Sequence, residues 1–377
     1  MKQSQMIQAD GSTGKRRLYI AFELSNKAWK IAFGDGFKKR EKTIVARCLP
    51  VFEAELEKAR KHFRMEADVE IYSCYEAGRD GFWLHRYLES IGIKNVVVDS
   101  ASIEVNRRYR RAKTDRMDAG KLLHMLVRDI AGERKVWSVV RVPSVEQEDK
   151  RRINRERERL LKERTGHLNR MRSLLVLHGI DMKVGKRFKE DVEHVRLWDG
   201  SLLPEHVKKE LCREYDRYEL VKGQMDNLKE EQEEKLRVDD NISQQVEALK
   251  KLRGIGHVSS CQLVLECFGW RRFANVKEVG AAAGLTPTPY SSGTSQIEQG
   301  ISKSGNRRVR KLMIELGWSW LRFQGQSKLS KWFTERFASG GKRMRRIGIV
   351  ALARKLLIGL WRYLEDGTVP EGAQLKA

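Results

Sequence analysis

Two stretches decide the fold of the first part of the chain, LYIAFELS at residues 18–25 and KAWKIAFGD at residues 27–35. The first stretch is almost wholly apolar, which is typical of a buried strand, and the second alternates well enough to be its hairpin partner. Three more strands are predicted at 42–48, 69–78 and 95–100, and helices at 51–63, 82–92 and 115–129. A hairpin followed by alternating helices and strands predicts a mixed α/β domain.

The character of the sequence changes at Val142 and Pro143, after which strand patterns disappear for about a hundred residues. Long amphipathic helices are predicted at 145–178 and 205–237, with a turn region at 181–204 between them. The apolar positions of the two helices are Leu161, Leu168, Met171 and Leu175, and then Leu211, Tyr215, Tyr218, Val221, Met225 and Leu228. Such a pair predicts an antiparallel coiled-coil arm, either self-paired or dimerising.

The last part of the chain is predicted to be mainly helical. KLRGIGHVSSCQLVLECFG at 251–269 has the pattern of a helix end, a glycine turn and a second helix, and a Pro/Ser/Gly loop follows at 284–295. The predicted domains are therefore an α/β domain at 1–142, a coiled-coil arm at 143–245 and a helical domain at 246–377.

Positive charge is the strongest feature of the composition. Lys and Arg number 75 against 51 Asp and Glu, a net charge of +24. Because each neutralised phosphate releases a condensed counterion, this excess favours a nucleic-acid partner. A basic protein without a particular ligand is the alternative.

Five scattered cysteines form no CxxC pair and no zinc-finger spacing, which fits a reducing compartment. The N-terminal residues lack the apolar stretch of a signal peptide, and no apolar run reaches the roughly 18 residues of a membrane span. We therefore expect a cytoplasmic protein with no membrane partner.

Four carboxylates of the first domain are candidate metal ligands. Glu23 interrupts the first buried strand, Glu76 ends a later one, and Asp115 and Asp118 open a helix three residues apart, on one face. Carboxylates at strand ends converge in an α/β sheet and cannot all stay ionised together without cations. Mg²⁺ or Mn²⁺ would neutralise them and act on a phosphodiester. The alternative is an ordinary helix cap with solvated charge.

A basic segment lies beside the two aspartates and suits a phosphate backbone brought to the metals. Its cationic residues are Arg107, Arg108, Arg110, Arg111, Lys113 and Arg116.

Two elements of the last domain are further candidates for contact with DNA. Gly254 and Gly256 have helix-hairpin-helix spacing, and a plain helical turn is the alternative. The loop at 284–295 contains Ser291 and Ser292 ahead of Gly293, and an exposed serine held by such a loop can act as a nucleophile, although such loops are mostly linkers. A phosphate clamp is predicted around the next helix start, formed by Lys303, Arg307, Arg308, Arg310 and Lys311.

Taken together, six segments resemble, in order, the conserved blocks of the DEDD transposases of the IS110 family, bacterial recombinases guided by a bridge RNA. These segments are FELSNKAWKIAF, CYEAG, KTDRMDAGKL, LRGIGHVSS, AAAGLTPTPYSSGTS and ISKSGNRRVRKL. The resemblance covers about residues 18 to 360, and KTDRMDA and the serine block are its most specific parts.

The resemblance implies a RuvC-like (RNase H-type) first domain, a coiled-coil linker and a helical transposase domain. It implies that Glu23, Glu76, Asp115 and Asp118 bind Mg²⁺. It also selects Ser292, the serine just before the glycine, as the nucleophile that holds the cut DNA end as a phosphoserine. The first acidic position is usually Asp in the family. The extra methylene of Glu23 moves its oxygens outward by about 1.5 Å.

The resemblance also implies the partners, which are donor and target double-stranded DNA and an element-encoded noncoding RNA that pairs with both. Family members act as tetramers, so we expect a homo-oligomer, dimeric to tetrameric, associated with the nucleoid of a bacterial host. Two alternatives stay open. One is a RuvC-like nuclease or junction resolvase that uses water as the nucleophile, and the other is a catalytically silent protein that binds RNA or DNA.

Overall fold

A computed structural model of the chain describes residues 16–103, 119–238, 240–292 and 295–376. They belong to two compact units, which divide between Val142 and Pro143. The further division of the second unit at residue 245 stays a prediction. Among the helices of the described ranges, none is both long and apolar enough to cross a membrane.

A five-stranded sheet is the centre of the first unit. Its strands are β1 (Arg17–Leu24), β2 (Ala28–Gly34), β3 (Lys39–Val45), β4 (Glu70–Glu76) and β5 (Lys94–Val98). The spatial order is β3-β2-β1-β4-β5. β2 runs antiparallel to both of its neighbours, whereas β4 and β5 continue the sheet parallel to β1. The predicted mixed α/β architecture is confirmed.

Three helices cover the two faces of this sheet. They are α1 (Leu49–His62), α2 (Trp83–Ser90) and α3 (Ala119–Ile130). Successive residues of a strand point to opposite faces, so Leu18, Ile20 and Phe22 pack with α1 and α2. Tyr19 and Ala21 lie on the other face, in the cluster formed with α3. The β1 strand is therefore buried on both sides, which explains its almost continuous apolar sequence.

The second unit begins with a helical arm. Its helices are α4 (Val145–Lys150), α5 (Arg152–Leu177), α6 (Phe188–His194) and α7 (Glu205–Val238). The long helices α5 and α7 pair in antiparallel fashion, because the start of α5 meets the end of α7. Gln232 Nε2 donates to Asn154 Oδ1 over 2.9 Å, while Met171 packs in one cluster with Leu211. The arm is therefore self-paired within one chain.

Two features of the predicted arm are wrong. Leu161 is 37% exposed, and Leu160 (4% exposed) occupies the seam instead. Leu160 packs with Val221 and Met225 of α7, so the seam at this level passes through the residue before Leu161. The segment 181–204 is also more than a turn, because it contains α6, whose Phe188 is fully buried against the arm.

In the described ranges from residue 240 onward, the second unit consists of helices and one hairpin. Its elements are α8 (Asp240–Lys251), α9 (His257–Leu263), α10 (Val276–Ala282), β6 (Pro287–Ser292), β7 (Ser295–Ile301), α11 (Arg307–Phe323), α12 (Lys328–Phe333) and α13 (Lys342–Asp366). A π-helical turn, Val264–Phe268, continues α9. The core contains Met313, Trp320 and Leu356, all at most 1% exposed.

Candidate functional site

The parallel pairing of β1 with β4 brings two of the four predicted carboxylates to one edge of the sheet. The register pairs Phe22 with Tyr75, so Glu23 and Glu76 are the next neighbours, on strands about 4.8 Å apart. Glu23 is half-buried and Glu76 is exposed. Both share the face of β1 and β4 that packs on α3, since each lies two residues after a member of that cluster, Ala21 and Cys74 respectively.

The chain after Glu76 is held in a fixed path. The backbone N–H of Ala77 donates to the carbonyl of Val98 at 2.7 Å, and the hydroxyl of Tyr75 donates to the carbonyl of Gly81 at 3.0 Å. On the opposite side, Lys30 lies across from Glu23 in the β1–β2 register. This lysine, whose backbone is paired with that of Glu23, was not singled out from the sequence.

Asp115 and Asp118 lie outside the described residues, as does the whole basic segment of Arg107, Arg108, Arg110, Arg111, Lys113 and Arg116. The helix α3 is described from Ala119 onward, and the Sγ of Cys74 donates to the carbonyl of Leu122 at 3.8 Å. Within the described ranges, no three His, Cys, Asp or Glu side chains form a metal-binding group. Glu23 and Glu76 supply the hard oxygen donors that Mg²⁺ prefers, so they fit half of the predicted set.

The predicted glycine turn lies between α8 and α9. Gly254 has a φ of +85°, and a Cβ there would lie 3.2 Å from the Cβ of Phe323 on α11. Its carbonyl accepts a 2.7 Å hydrogen bond from the hydroxyl of Ser319. Gly254 therefore allows close packing on α11. Gly256 caps α9, and its contact with a phosphate stays a prediction.

The predicted serine loop is a β-hairpin, which corrects the sequence analysis. Ser292 is the last residue of β6 and pairs with Ser295, the first residue of β7. The backbone of Ser292 is described and its side chain is not. Pro287 and Pro289 favoured a loop in the sequence. In a two-stranded hairpin, however, each strand has a free edge where a residue without an N–H is tolerated.

The two ends of this hairpin are fixed to each other and to α10. Ser302 N–H donates to the Thr286 carbonyl at 2.9 Å. Gly284 has a φ of +65°, and a Cβ there would approach the carbonyl oxygen of Ser304 to 1.8 Å, so only glycine fits. At Gly305, with a φ of +90°, a Cβ would approach the carbonyl oxygen of Ala282 to 2.5 Å. The backbone segments at the base of the hairpin are therefore closely packed against one another.

The predicted phosphate clamp divides into two groups. Lys303, Arg307 and Lys311 are exposed, as a phosphate contact requires. The other two bond within the protein: Arg308 Nε donates to Glu158 Oε2 at 2.8 Å, and Arg310 Nη1 donates to the carbonyls of Ala283 and Lys303, both at 3.0 Å. Burial, and next the charge of Arg307, lowers the pKa of Arg310 from its ordinary value. Arg310 thus holds the base of the hairpin.

Glu266 is a residue that sequence analysis missed. It lies in the π-helical turn, is 1% exposed, and accepts two hydrogen bonds from Arg155, Nε to Oε1 at 2.8 Å and Nη2 to Oε2 at 3.1 Å. Asn306 Nδ2 donates to Oε2 at 2.9 Å. Burial raises the pKa of the Glu266 carboxyl, but these bonds and the charge of Arg155 outweigh it, so the pKa is lowered. A lone carboxylate inside the apolar run VLECF was the available signal.

Comparison with known proteins identifies the family. Residues 246–331, which include Glu266, Ser292 and the start of α11, match the model described as Transposase IS116/IS110/IS902 family. The chain is 38% identical to the putative transposase y4rJ of Sinorhizobium fredii over 375 residues, 95% of this chain and 94% of that protein.

Two further relatives are transposases of named insertion sequences. The chain is 29% identical to that of IS1111A from Coxiella burnetii, over 54% of this chain and 53% of the relative. It is 25% identical to that of IS1533 from Leptospira borgpetersenii, over 92% and 95% of the two chains. The protein described here belongs to the IS116/IS110/IS902 family of transposases.

Proposed function

We propose that this transposase cuts and rejoins donor and target DNA with Ser292 as the nucleophile and a metal-binding carboxylate cluster in a RuvC-like first unit. The observation that carries the proposal is the parallel pairing of β1 and β4, which sets Glu23 and Glu76 side by side. The five-stranded mixed sheet, with an antiparallel hairpin leading into parallel strands, supports the RuvC-like assignment.

The proposed metal ligands are Glu23, Glu76, Asp115 and Asp118. Mg²⁺ or Mn²⁺, when bound, supplies positive charge that neutralises these carboxylates and a phosphodiester together. The contribution of the chain is geometric. The paired strands hold Glu23 and Glu76 at one edge, and the hydrogen bonds of Ala77 and Tyr75 fix the path of the chain beyond Glu76.

The proposed serine step exchanges one phosphodiester bond for another. The Oγ of Ser292 bonds to phosphorus, the bond from phosphorus to a DNA oxygen breaks, and that oxygen keeps the electron pair and takes up a proton. The serine gives its own proton to a neighbouring carboxylate. In the second step, a DNA hydroxyl attacks the phosphoserine and frees Ser292. Because the number of phosphoester bonds is unchanged, rejoining needs no ATP.

Sequence recognition is proposed to rest with a noncoding bridge RNA that pairs with donor and target DNA, so that the protein contacts mainly backbones. The net charge of +24 supports a polyanionic partner, and the exposed Lys303, Arg307 and Lys311 are candidate contacts with it.

Replacing Arg107, Arg108, Arg110 and Arg111 with alanine is expected to weaken DNA binding. Each lost phosphate contact reduces the slope of log K against log salt by roughly one unit, because one fewer counterion is released. Titrations at several salt concentrations measure this slope. The control is a variant in which four cations of the arm are replaced with alanine, namely Lys186, Arg187, Lys189 and Arg196. An unchanged slope in the first variant would show that the basic segment is only a solvated surface.

The arm supports an oligomeric assembly, dimeric to tetrameric. Although α5 and α7 pair with each other, large apolar side chains are left uncovered at the end where they connect. Val176 is 71% exposed, Leu177 is 76% exposed and Trp198 is 94% exposed. Large apolar side chains exposed near one end of an element are candidates for contact with another subunit.

Replacing Val176, Leu177 and Trp198 with glutamate is expected to reduce the oligomer with RNA and DNA to a smaller species, because charged side chains oppose burial at an interface. Light scattering after gel filtration measures the mass. A triple variant of the exposed polar residues Arg172, Ser173 and Asp199 to alanine should keep the wild-type mass. A wild-type protein that is monomeric at all concentrations with both nucleic acids would contradict the oligomer.

The proposed function is tested by reconstitution. Purified protein, the noncoding RNA encoded beside the gene, and plasmids carrying the donor and target sites are expected to yield a sequenced recombinant junction that needs Mg²⁺ and disappears with chelator. Hydrolytic nicks without junctions would favour the nuclease alternative, and binding without cleavage would favour the silent binding protein.

A further inference from the structure

The Glu266 carboxylate joins three elements that the sequence separates widely. Its π-helical turn follows α9, its guanidinium partner Arg155 is on α5 at the base of the arm, and its amide partner Asn306 precedes α11. The π-helical geometry is itself notable, because π turns interrupt regular helices and occur often at functional sites.

Asn306 connects Glu266 to the start of α11. Its Nδ2 is bound to Glu266, while its Oδ1 accepts hydrogen bonds from the backbone N–H groups of Arg308 and Val309 at 2.9 and 3.3 Å. The amide therefore cannot rotate without breaking either the helix cap or the bond to Glu266. A parallel link connects the same helices, since Arg308 also bonds to Glu158 of α5.

Asn306 is also part of the base of the serine hairpin, because its N–H donates to the carbonyl of Ala282 at 2.7 Å. Ser292 lies at the other end of β6, five residues beyond Pro287. At a rise of about 3.3 Å per residue, a tilt of roughly 10° at the base displaces Ser292 by about 3 Å. A misplacement of about 1 Å is enough to slow a reaction that depends on alignment roughly a hundredfold.

Stability alone does not account for this arrangement. A buried ion pair gains little over well-packed apolar residues, because both charges lose their hydration. The Arg155–Glu266 pair does, however, restrict the orientation of α5 relative to the π-helical turn, because a guanidinium and a carboxylate joined by two hydrogen bonds have a fixed mutual orientation.

We propose that Glu266 is a positioning residue. Through Arg155 and Asn306, it fixes the orientation of the arm relative to the start of α11 and the base of the serine hairpin. That this orientation places Ser292 for reaction rests on the proposed function. That Glu266 fixes the orientation of the arm does not depend on it.

The orientation is measured as the distance between spin labels at Arg172→Cys on α5 and Glu315→Cys on α11, both exposed positions. The half-buried Cys48 and Cys212 are replaced to avoid background labelling. Two test variants are compared, Glu266→Gln and the double Arg155→Met, Glu266→Met, the second of which keeps packing and removes both buried charges. Arg170→Met, which removes an ion pair within the arm, is the control.

We expect one narrow distance distribution in the wild-type and control proteins, and a distribution at least twice as wide in both test variants. The rate of covalent DNA attachment is expected to fall about a hundredfold in the test variants, with a DNA Kd within threefold of wild type. A distribution that stays narrow in the folded double variant would overturn the proposal. If the wild-type protein forms no covalent attachment, the proposed serine function fails, and the distance measurement still decides the role of Glu266.

Discussion

Asp115→Ala and Asp118→Ala are each expected to abolish strand cleavage while DNA binding stays unchanged or becomes slightly tighter. Each removes a proposed metal ligand and one negative charge near the phosphate backbone. Metal ions stabilise the charge of a transition state by several kcal/mol, which corresponds to a loss of roughly 10³-fold or more in rate. Single-turnover cleavage of labelled DNA over a range of Mg²⁺ concentrations measures the effect.

The matched control for these variants is Asp129→Asn, which changes an aspartate near the other end of α3. It should cleave at the wild-type rate. Recombination by either Asp115→Ala or Asp118→Ala at the wild-type rate would mean that the metal site is assigned to the wrong residues, even if Glu23 and Glu76 prove essential.

Ser292→Ala is expected to lose recombination entirely, because a covalent intermediate cannot form without the hydroxyl group. Ser291→Ala is the matched control, since it removes the adjacent hydroxyl group of the same strand and should keep recombination. Sequencing of recombinant junctions measures both. Full recombination by Ser292→Ala would identify water or another side chain as the attacking group.

The first unit was predictable from sequence because its central strands, β1 and β2, are largely buried and bounded by clear turns. LYIAFELS is apolar on both faces, and β1 is indeed central and covered by helices on both sides. The exception within it, Glu23, therefore stood out as a carboxylate where an apolar residue was expected. Its neighbour Glu76 was harder to connect, because only the parallel pairing of β1 and β4 brings the two together.

The second unit was less predictable because its patterns have more than one interpretation. The seven-residue spacing of Leu161, Leu168 and Leu175 gave one wrong seam position, because Leu160 and not Leu161 is buried against α7. The serine hairpin was interpreted as a loop because its prolines are loop formers in most settings. Gly293 followed by Thr294, between two short alternating segments, was the hairpin signal in the sequence.

The partners of Glu266 could not be found from sequence. Arg155 is more than a hundred residues away in the chain, among many other arginines, and only the folded arm selects it. Likewise, nothing in SKSGNRRVRK distinguishes Arg307, which is exposed, from Arg310, which bonds to backbone carbonyls. Local patterns identify helices and strands, whereas side-chain partners depend on the packing of distant elements.

Peptide mapping of the covalent protein–DNA species tests the central claim most directly. Wild-type protein is incubated with labelled DNA and Mg²⁺, denatured and digested, and the DNA-linked peptide is identified by mass spectrometry. We predict that the DNA is attached through a phosphate ester to Ser292. Attachment to Ser291, Ser295 or Tyr290 would assign the nucleophile to another residue, and cleaved DNA without any attached peptide would contradict the serine mechanism itself.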